Sequence, residues 1–434
     1  MFGVIQRLRQ RVPLVLVLLA MAASGQNAAA EVREEKSDLG LPEALRLALG
    51  ANPELAGAAK ELDALEGATQ QAGLLRNPEL SIEGEDIGAD RARGLQRFTT
   101  YRLGQAIELG GKRGARVAAA TLTQDIARQE YAAKRLALQA RVANAFVDVL
   151  AAQERLRLAD ENVQLAQSAA QAIGKRVLAG KAPPIEETKS QLALSTVRIE
   201  QEQARRELVA ARKLLSLLWG NAEPQFARAL GAIATPVAVP EFEVLAQRLR
   251  NHPLAARSLK HVEQRRALVD LQQSQGVPDI TVSAGYRRYA QTGESTALLG
   301  IAIPIPLFDR NQGNLREALQ RLNQALDEQA ASTLRQQADL AQTYENLLAA
   351  QHEIGVLRDE VLPGAISAFD VAKRGYELGK FAYLDLLDAQ RTLFQTQALY
   401  VRAQVNYQKL CNELERLTAA PLVLQAIQKA ENQK

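Results

Sequence analysis

Two periodicities take turns along this chain. Apolar side chains fall on every second residue at Leu80 and Ile82, then at Tyr101, Leu103 and Ile107. They do so again at Ile280, Val282, Ala284 and Tyr286, and at Ala297, Leu299, Ile301, Ile303 and Ile305, with small or polar residues between. A period of two predicts strands with one apolar face. The runs pair up around polar, glycine-bearing segments, "IGADRARG" and "AQTGES", so the pattern predicts two β-hairpins, over about 79–108 and 279–305. Strands of roughly 9–11 residues have the length that crosses a bilayer when tilted.

After each hairpin the period changes. From Gly114 to Ala179 and from Gly313 to Leu378, apolar residues stand three and four apart among Ala, Leu, Gln, Arg and Glu, with Pro363 the one proline. Good helix formers at that spacing predict helices of roughly 65 residues, about 100 Å long. A globular helix averages about 11–12 residues, so these are rods of the coiled-coil type. The chain reverses at Gly180 and Gly379, and return helices run from Pro184 to Trp219 and from Tyr383 to Leu417. Ahead of each hairpin a helix of about 20 residues opens on proline, a tolerated early position. These helices, Pro53 to Leu75 and Pro253 to Gln275, end before Pro78 and Pro278 and can stack end to end on the return helices.

The halves are copies of one plan. "NPEL" at 52–55 aligns with "NHPL" at 251–254, "NPELSIEG" at 77–84 with "VPDITVSA" at 277–284, and "IELGGKR" at 107–113 with "IPLFDRN" at 305–311. Gly180-Lys181 aligns with Gly379-Lys380, Glu186 with Asp385 and Gln191 with Gln390. Landmarks in one order at a spacing of 198–200 residues mark a duplication. Residues 31–230 form the first structural repeat (hairpin 79–108, helical hairpin 114–219), 231–420 the second (hairpin 279–305, helical hairpin 313–417), and 421–434 a tail. Residues 220–245 and 420–434 read as irregular segments that form a belt around the middle.

The N-terminus changes the compartment. Arg7, Arg9 and Arg11 precede an apolar run from Val12 to Ala23 and an Ala28-Ala29-Ala30 site, which together describe a secretory signal peptide over residues 1–30. Cleavage is expected after Ala30, with Ser24 a second candidate, and no cysteine stands near it to carry a lipid anchor. Removing the three arginines takes the formal charge from +4 to about +1, and no basic tract argues for nucleic acid. Cys411 is the single cysteine and reads as a small buried apolar residue. No later segment is apolar for 18 residues, so any entry into a membrane is by strands.

Four strands cannot close a barrel, and open edges in lipid cost several kcal/mol per unpaired backbone group. Sister chains must complete the sheet; a barrel above about eight strands leaves a passage.

The repeat, the hairpins and the "LGK…YLDLLDAQ" turn resemble the TolC superfamily of outer-membrane efflux factors over about residues 40–420. "IELGGKRGARVAAA", "GKAPPIEETKSQLAL" and "IPIPLFDRNQGN" resemble its CzcC-like heavy-metal branch. The resemblance implies a mixed α/β membrane protein: a trimeric 12-stranded β-barrel, four strands per chain, continued by a long α-helical coiled-coil tunnel into the periplasm. It implies a homotrimer in outer-membrane lipid that works with a periplasmic adaptor and an inner-membrane resistance–nodulation–division (RND) pump. Such a duct exports divalent heavy-metal cations and has no catalytic residue and no cofactor. The alternatives are a duct of the same family for drugs or a secreted protein, and a poreless periplasmic coiled coil.

The resemblance also assigns residues. Asp385 and Asp388 match the family's acidic rings at the periplasmic entrance. Spacing i, i+3 puts both on one helix face, where six carboxylates from three chains favour cations; the first turn of a helix stabilises negative charge as well. Tyr376 and Glu186 match gate contacts between the two repeats, and a Tyr376–Glu186 bond is the expected lock. The family arginine two residues after the turn glycine is Phe381 here, so closure is expected to be apolar at that point. Gly180, Lys181, Gly379 and Lys380 match the turns that meet the adaptor; glycine also serves there as a helix C-cap. "GKRVLAGKA" lacks the spacing and the Ser/Thr of a phosphate loop. His252, His261 and His352 form no zinc motif, and Trp219 reads as a packing anchor.

Overall fold

The computed structural model describes residues 38–85, 97–233, 236 and 239–420. The segments read as signal peptide (1–30), tail (421–434) and "IGADRARG" loop lie outside the described residues. Leu39–Gly40 (β1), Leu41–Ala51 (α1) and Pro53–Ala72 (α2) lead to strands Glu79–Glu85 (β2) and Phe98–Ile107 (β3), then to helices Lys112–Leu178 (α3) and Pro184–Leu217 (α4). Ala229–Leu230 (β4) and Phe242–Leu249 (α5) precede the second copy of the plan: Pro253–Gln275 (α6), Ile280–Tyr289 (β5), Ser295–Ala302 (β6) and Gln312–Val356 (α7). A π-helical turn at Leu357–Val361, Leu362–Glu377 (α8) and Tyr383–Thr418 (α9) complete it.

The long strands form one antiparallel sheet in the order β2-β3-β5-β6. Its register stacks Leu80, Leu103, Ala284 and Leu299 in one row and Ile82, Tyr101, Tyr286 and Ala297 in the next. These residues share a face, and Leu80, Ile82, Leu103, Leu299 and Ile301 are exposed on it, as a lipid-facing surface requires. The other face carries Glu79, Ser81, Glu83, Arg102, Ser283 and Arg287. There the Arg287 guanidinium lies 3.9 Å from the centre of the Phe98 ring and donates to Thr100 Oγ1 at 3.1 Å. The outer edges of β2 and β6 have no partner strand among the described residues.

Helix α3 is the axis of the helical part and packs along α2, α4, α6 and α9. Three of the cores among the described residues hold the middle of the bundle. Leu47, Val142, Phe146, Leu215, Trp219 and Phe226 fill the first repeat. Leu245, Leu340, Leu347, Ile354, Tyr407 and Leu414 fill the second. Val147, Ala151 and Leu158 of α3 meet Val401 and Val405 of α9 between them. Cys411 sits in the second core, where burial pushes its thiol up to about 12.

The structure corrects three boundaries. β6 stops at Ala302 rather than Ile305, because Pro304 and Pro306 have no N–H to give the ladder. The long second-repeat helix is interrupted at Leu357–Val361: the ring of Pro363 crowds the carbonyl four residues back, and the turn there widens to π. The segment 220–245 is not wholly irregular, since β4 pairs in parallel with β1 and α5 begins at Phe242.

The end-to-end stacking of helices has a specific joint, built twice. Asn52 caps α2 by accepting from Leu55 N–H at 3.0 Å, and its Nδ2 donates to Leu218 O at the end of α4 at 2.8 Å. His252 does the same work in the second repeat. Its Nδ1 accepts from Leu254 N–H at 3.1 Å, and Nε2 lies 3.0 Å from Arg416 O near the end of α9. The two bonds require the neutral ring with its proton on Nε2. Burial, aided by the charge of Arg416, lowers the His252 pKa from 6.5, against the opposing pull of the Arg416 carbonyl. A depressed histidine pKa means that stability is full above 6.5 and falls as pH drops through the folded-state value. Protonation also removes the cap acceptor, worth about 1 kcal/mol. His252→Asn, which copies Asn52, is expected to keep both bonds and to flatten the melting temperature between pH 5 and 7.5; calorimetry of the detergent-solubilised protein measures this.

Candidate functional site

The far ends of the two helical hairpins carry the assigned residues, and the local sequence dictates their shape. Gly180 and Gly379 adopt φ of 68° and 73°. Lys181 N–H reaches back to Arg176 O at 2.8 Å and Gly180 N–H to Val177 O at 2.9 Å. Lys380 N–H reaches Gly375 O at 2.8 Å and Gly379 N–H reaches Tyr376 O at 3.0 Å. Both turns are therefore Schellman caps, which glycine at the left-handed position allows. A Cβ at either glycine would meet nothing within 4 Å, so the tips are open surface, with Lys181 and Lys380 exposed beside them.

The return helices begin with Pro184 and Tyr383, which puts Glu186 and Asp385 at equivalent places in the first turn. Asp385 Oδ2 accepts from Ala382 N–H at 2.9 Å and so closes the helix start. Asp388 lies on the same face one turn on, and it makes no hydrogen bond or ion pair among the described residues. Both carboxylates are exposed.

Beneath the tips, Tyr376 is buried with Ile173, Ala372, Tyr383 and Leu386, joining both repeats. Its ring meets Tyr383 edge-on at 6.0 Å. The Arg176 guanidinium sits 4.6 Å from the ring centre and donates to Tyr376 O at 3.2 Å. The Tyr376 hydroxyl is enclosed without a hydrogen-bond partner. Burial raises its pKa most; Arg176 acts against that, and the nearby Glu186 carboxylate adds to it. Glu186 is thus near enough to act on Tyr376 through its charge, but the expected Tyr376–Glu186 hydrogen bond is not formed among the described residues. Phe381 packs on the bare backbone of Gly375, whose missing Cβ would fall inside the ring.

Arg176 and Gly375 escaped the sequence reading. They occupy matching places in the repeat, four residues before each turn glycine, and the difference between them was the available signal. Deeper in the bundle Gln390 donates to Asn162 Oδ1 at 3.0 Å, another pairing between repeats. No cluster of three or more His, Cys, Asp or Glu among the described residues is placed to hold a metal ion, and no described helix is long and apolar enough to cross a membrane.

The model of a family described as outer membrane efflux protein matches residues 44–221 and 244–420, once per repeat. The chain belongs to the outer membrane efflux protein family. It is 42% identical over 369 residues to the cobalt-zinc-cadmium resistance protein CzcC of Cupriavidus metallidurans, covering 85% of this chain and 87% of that one. The nickel and cobalt resistance protein CnrC of the same organism is 29% identical, covering 65% and 67%. The crystal structure of the outer membrane protein VceC from Vibrio cholerae superimposes with a TM-score of 0.74 at 21% identity, over 88% of this chain and 96% of that chain. As a member of this family the chain resides in the outer membrane and extends into the periplasm. Its fold is that of the TolC-type channels, in which three chains of four strands close one barrel and their helices continue it as a tunnel.

Proposed function

We propose that this chain forms, as a homotrimer, the outer-membrane duct of a tripartite efflux system that exports divalent heavy-metal cations of the cobalt, zinc, cadmium, copper or nickel class. The likeness to CzcC across most of both chains carries this reading. The exposed acids at the tips suit it, since carboxylates around a mouth raise the local concentration of cations. An RND pump in the inner membrane supplies the energy, and a periplasmic adaptor meets the tips at Gly180, Lys181, Gly379 and Lys380. The chain performs no catalysis. A deletion strain tests the proposal: growth is expected to fail at metal concentrations the parent tolerates, and complementation restores it. Normal metal tolerance with new drug sensitivity overturns it.

The entrance is gated where the repeats meet. The charge of Glu186 reaches Tyr376 there, Arg176 clamps Tyr376 across the repeat boundary, and Phe381 covers Gly375 in place of a charged lock. Tyr376→Phe is expected to raise the closed-state conductance a few-fold in planar bilayers, with the trimer intact. An unchanged conductance removes the Tyr376–Glu186 interaction from the gate.

A further inference from the structure

At the root of the sheet the two repeats lock together through one contact set. Asp279, just before β5, accepts from Leu109 N–H at 3.2 Å and from the Lys112 ammonium, with both charged side chains largely buried. Gly110 lies so close to α6 that a Cβ would stand 2.8 Å from Val277 Cβ and 3.0 Å from Ser274 O. The first repeat's strand-to-helix passage, Leu109 to Lys112, is thus seated on residues 274–279 of the second. Glu108 and Arg116 brace it with paired bonds of 2.6 and 2.9 Å.

The same two parts exist a second time, with their apolar side chains uncovered. In the second repeat the strand-to-helix passage is Leu307 to Arg310, Arg310 standing where Lys112 stands in the aligned heptapeptides. Asn311 before α7 is left-handed at φ 62°, as Gly111 before α3 is at 76°, so α7 begins two residues later than the aligned heptapeptides alone would place it. Its backbone rests on the end of α6, where Arg310 O would stand 3.1 Å from a Cβ at Gly276, but its apolar side chains are uncovered among the described residues: Leu307 is 64% and Phe308 91% exposed. The first repeat carries the matching seat, residues 74–79, with Pro78 for Pro278 and Glu79 for Asp279. Arg76 within it turns to Glu108 and Asp279, at 3.4 and 3.7 Å, while its apolar side chains stay uncovered, with Leu74 52% and Leu75 70% exposed. Among the described residues neither Arg310 nor Glu79 has an ion pair, and both are exposed. The uncovered passage follows β6 and the uncovered seat precedes β2, the two strands whose outer edges lack a partner strand among the described residues.

We propose that Arg310 pairs with Glu79 of the partner subunit, while Leu307 and Phe308 cover Leu74 and Leu75 of the partner subunit. The occupant of each surface is a second copy of this chain, and the contact between subunits repeats the contact within one. Such a head-to-tail contact closes into a ring. It joins a cation to an anion and buries four exposed apolar side chains where the barrel meets the tunnel. The inference rests on the trimeric channel proposed above.

A zero-length cross-link tests it. Arg310→Lys restores the residue type that Lys112 supplies in the intact pair, and a carbodiimide joins a lysine to a carboxylate only when they touch. The detergent-solubilised Arg310→Lys protein is expected to yield two- and three-chain bands after coupling, with the linked peptides containing positions 310 and 79. The Arg310→Lys/Glu79→Gln protein is expected to lose that link and remain a trimer by light scattering. A trimer with no 310–79 link overturns the junction and leaves the channel reading standing. A particle of one chain in detergent overturns both.

Discussion

Gly285→Ala is expected to leave no folded trimer in the outer membrane. Gly285 lies in β5 opposite Arg102 of β3, in the middle of the sheet. A Cβ there would stand 2.9 Å from Arg102 Cα and closer still to Tyr101 O. Both are backbone atoms of a paired strand, so no side chain can swing aside. Relief requires β3 and β5 to part where Tyr101 and Tyr286 stack at 4.9 Å. Overpacking of this kind costs about 3 kcal/mol or more per chain, and every barrel contains the fault three times. The check is the heat-resistant trimer band from outer-membrane fractions, expected to fall at least tenfold. Gly114→Ala is the control: a Cβ in that helix meets nothing, and alanine in a helix is better than glycine by about 1 kcal/mol. Equal trimer yields from the two variants would mean that the β3–β5 approach is not tight.

That approach illustrates what a sequence can and cannot disclose. Alternation announced the strands because one face of each must satisfy lipid and the other water, and the three-to-four spacing announced the rods because one stripe of each packs on neighbouring helices and the rest meets water. The apolar alternation ran past Ala302 to Ile305 because Ile303 and Ile305 remain outward apolar residues after the ladder has ended. Exposure to an apolar surrounding and hydrogen bonding to β5 are separate requirements, and only the first writes itself into hydropathy. The π turn needed knowledge of how one proline is absorbed. Helices α1 and α5 are short and follow no hairpin, so only their position before Pro53 and Pro253 marks them. At the tips the acids were visible because spacing along one helix fixes their common face. Arg176 over Tyr376 and Asn162 with Gln390 are partners 200 and 228 residues apart, and no local pattern contains them. Asp385 was legible as an acid but not as a capping group, which only the Ala382 contact reveals.

The distinction between the two acids sets up the last expected result. Asp385→Asn keeps an oxygen for Ala382 N–H, and Asp388→Asn disturbs no bond among the described residues, so the double variant removes charge with little change of shape. In the proposed trimer, with these tips around its mouth, six charges then vanish. One charge about 10 Å from a passing ion contributes ~0.4 kcal/mol in water, so six contribute ~2.5 for a monovalent cation and ~5 for a divalent one. Screening over a Debye length of about 8 Å at physiological salt leaves about a third of this, ~1.4 kcal/mol for the divalent ion, or about tenfold in occupancy. The same charges lower a monovalent anion's occupancy about threefold, so the Asp385→Asn/Asp388→Asn channel is expected to lose about thirtyfold in its preference for divalent cations over monovalent anions at about 0.15 M salt. At 1 M salt, where the Debye length is about 3 Å, it is expected to match the parent. Reversal potentials across planar bilayers at the two salt concentrations measure both. A preference that survives the double substitution at low salt would return these acids to an ordinary solvated helix face, because fixed charge is the only means by which two exposed carboxylates one turn apart can select an ion without binding it.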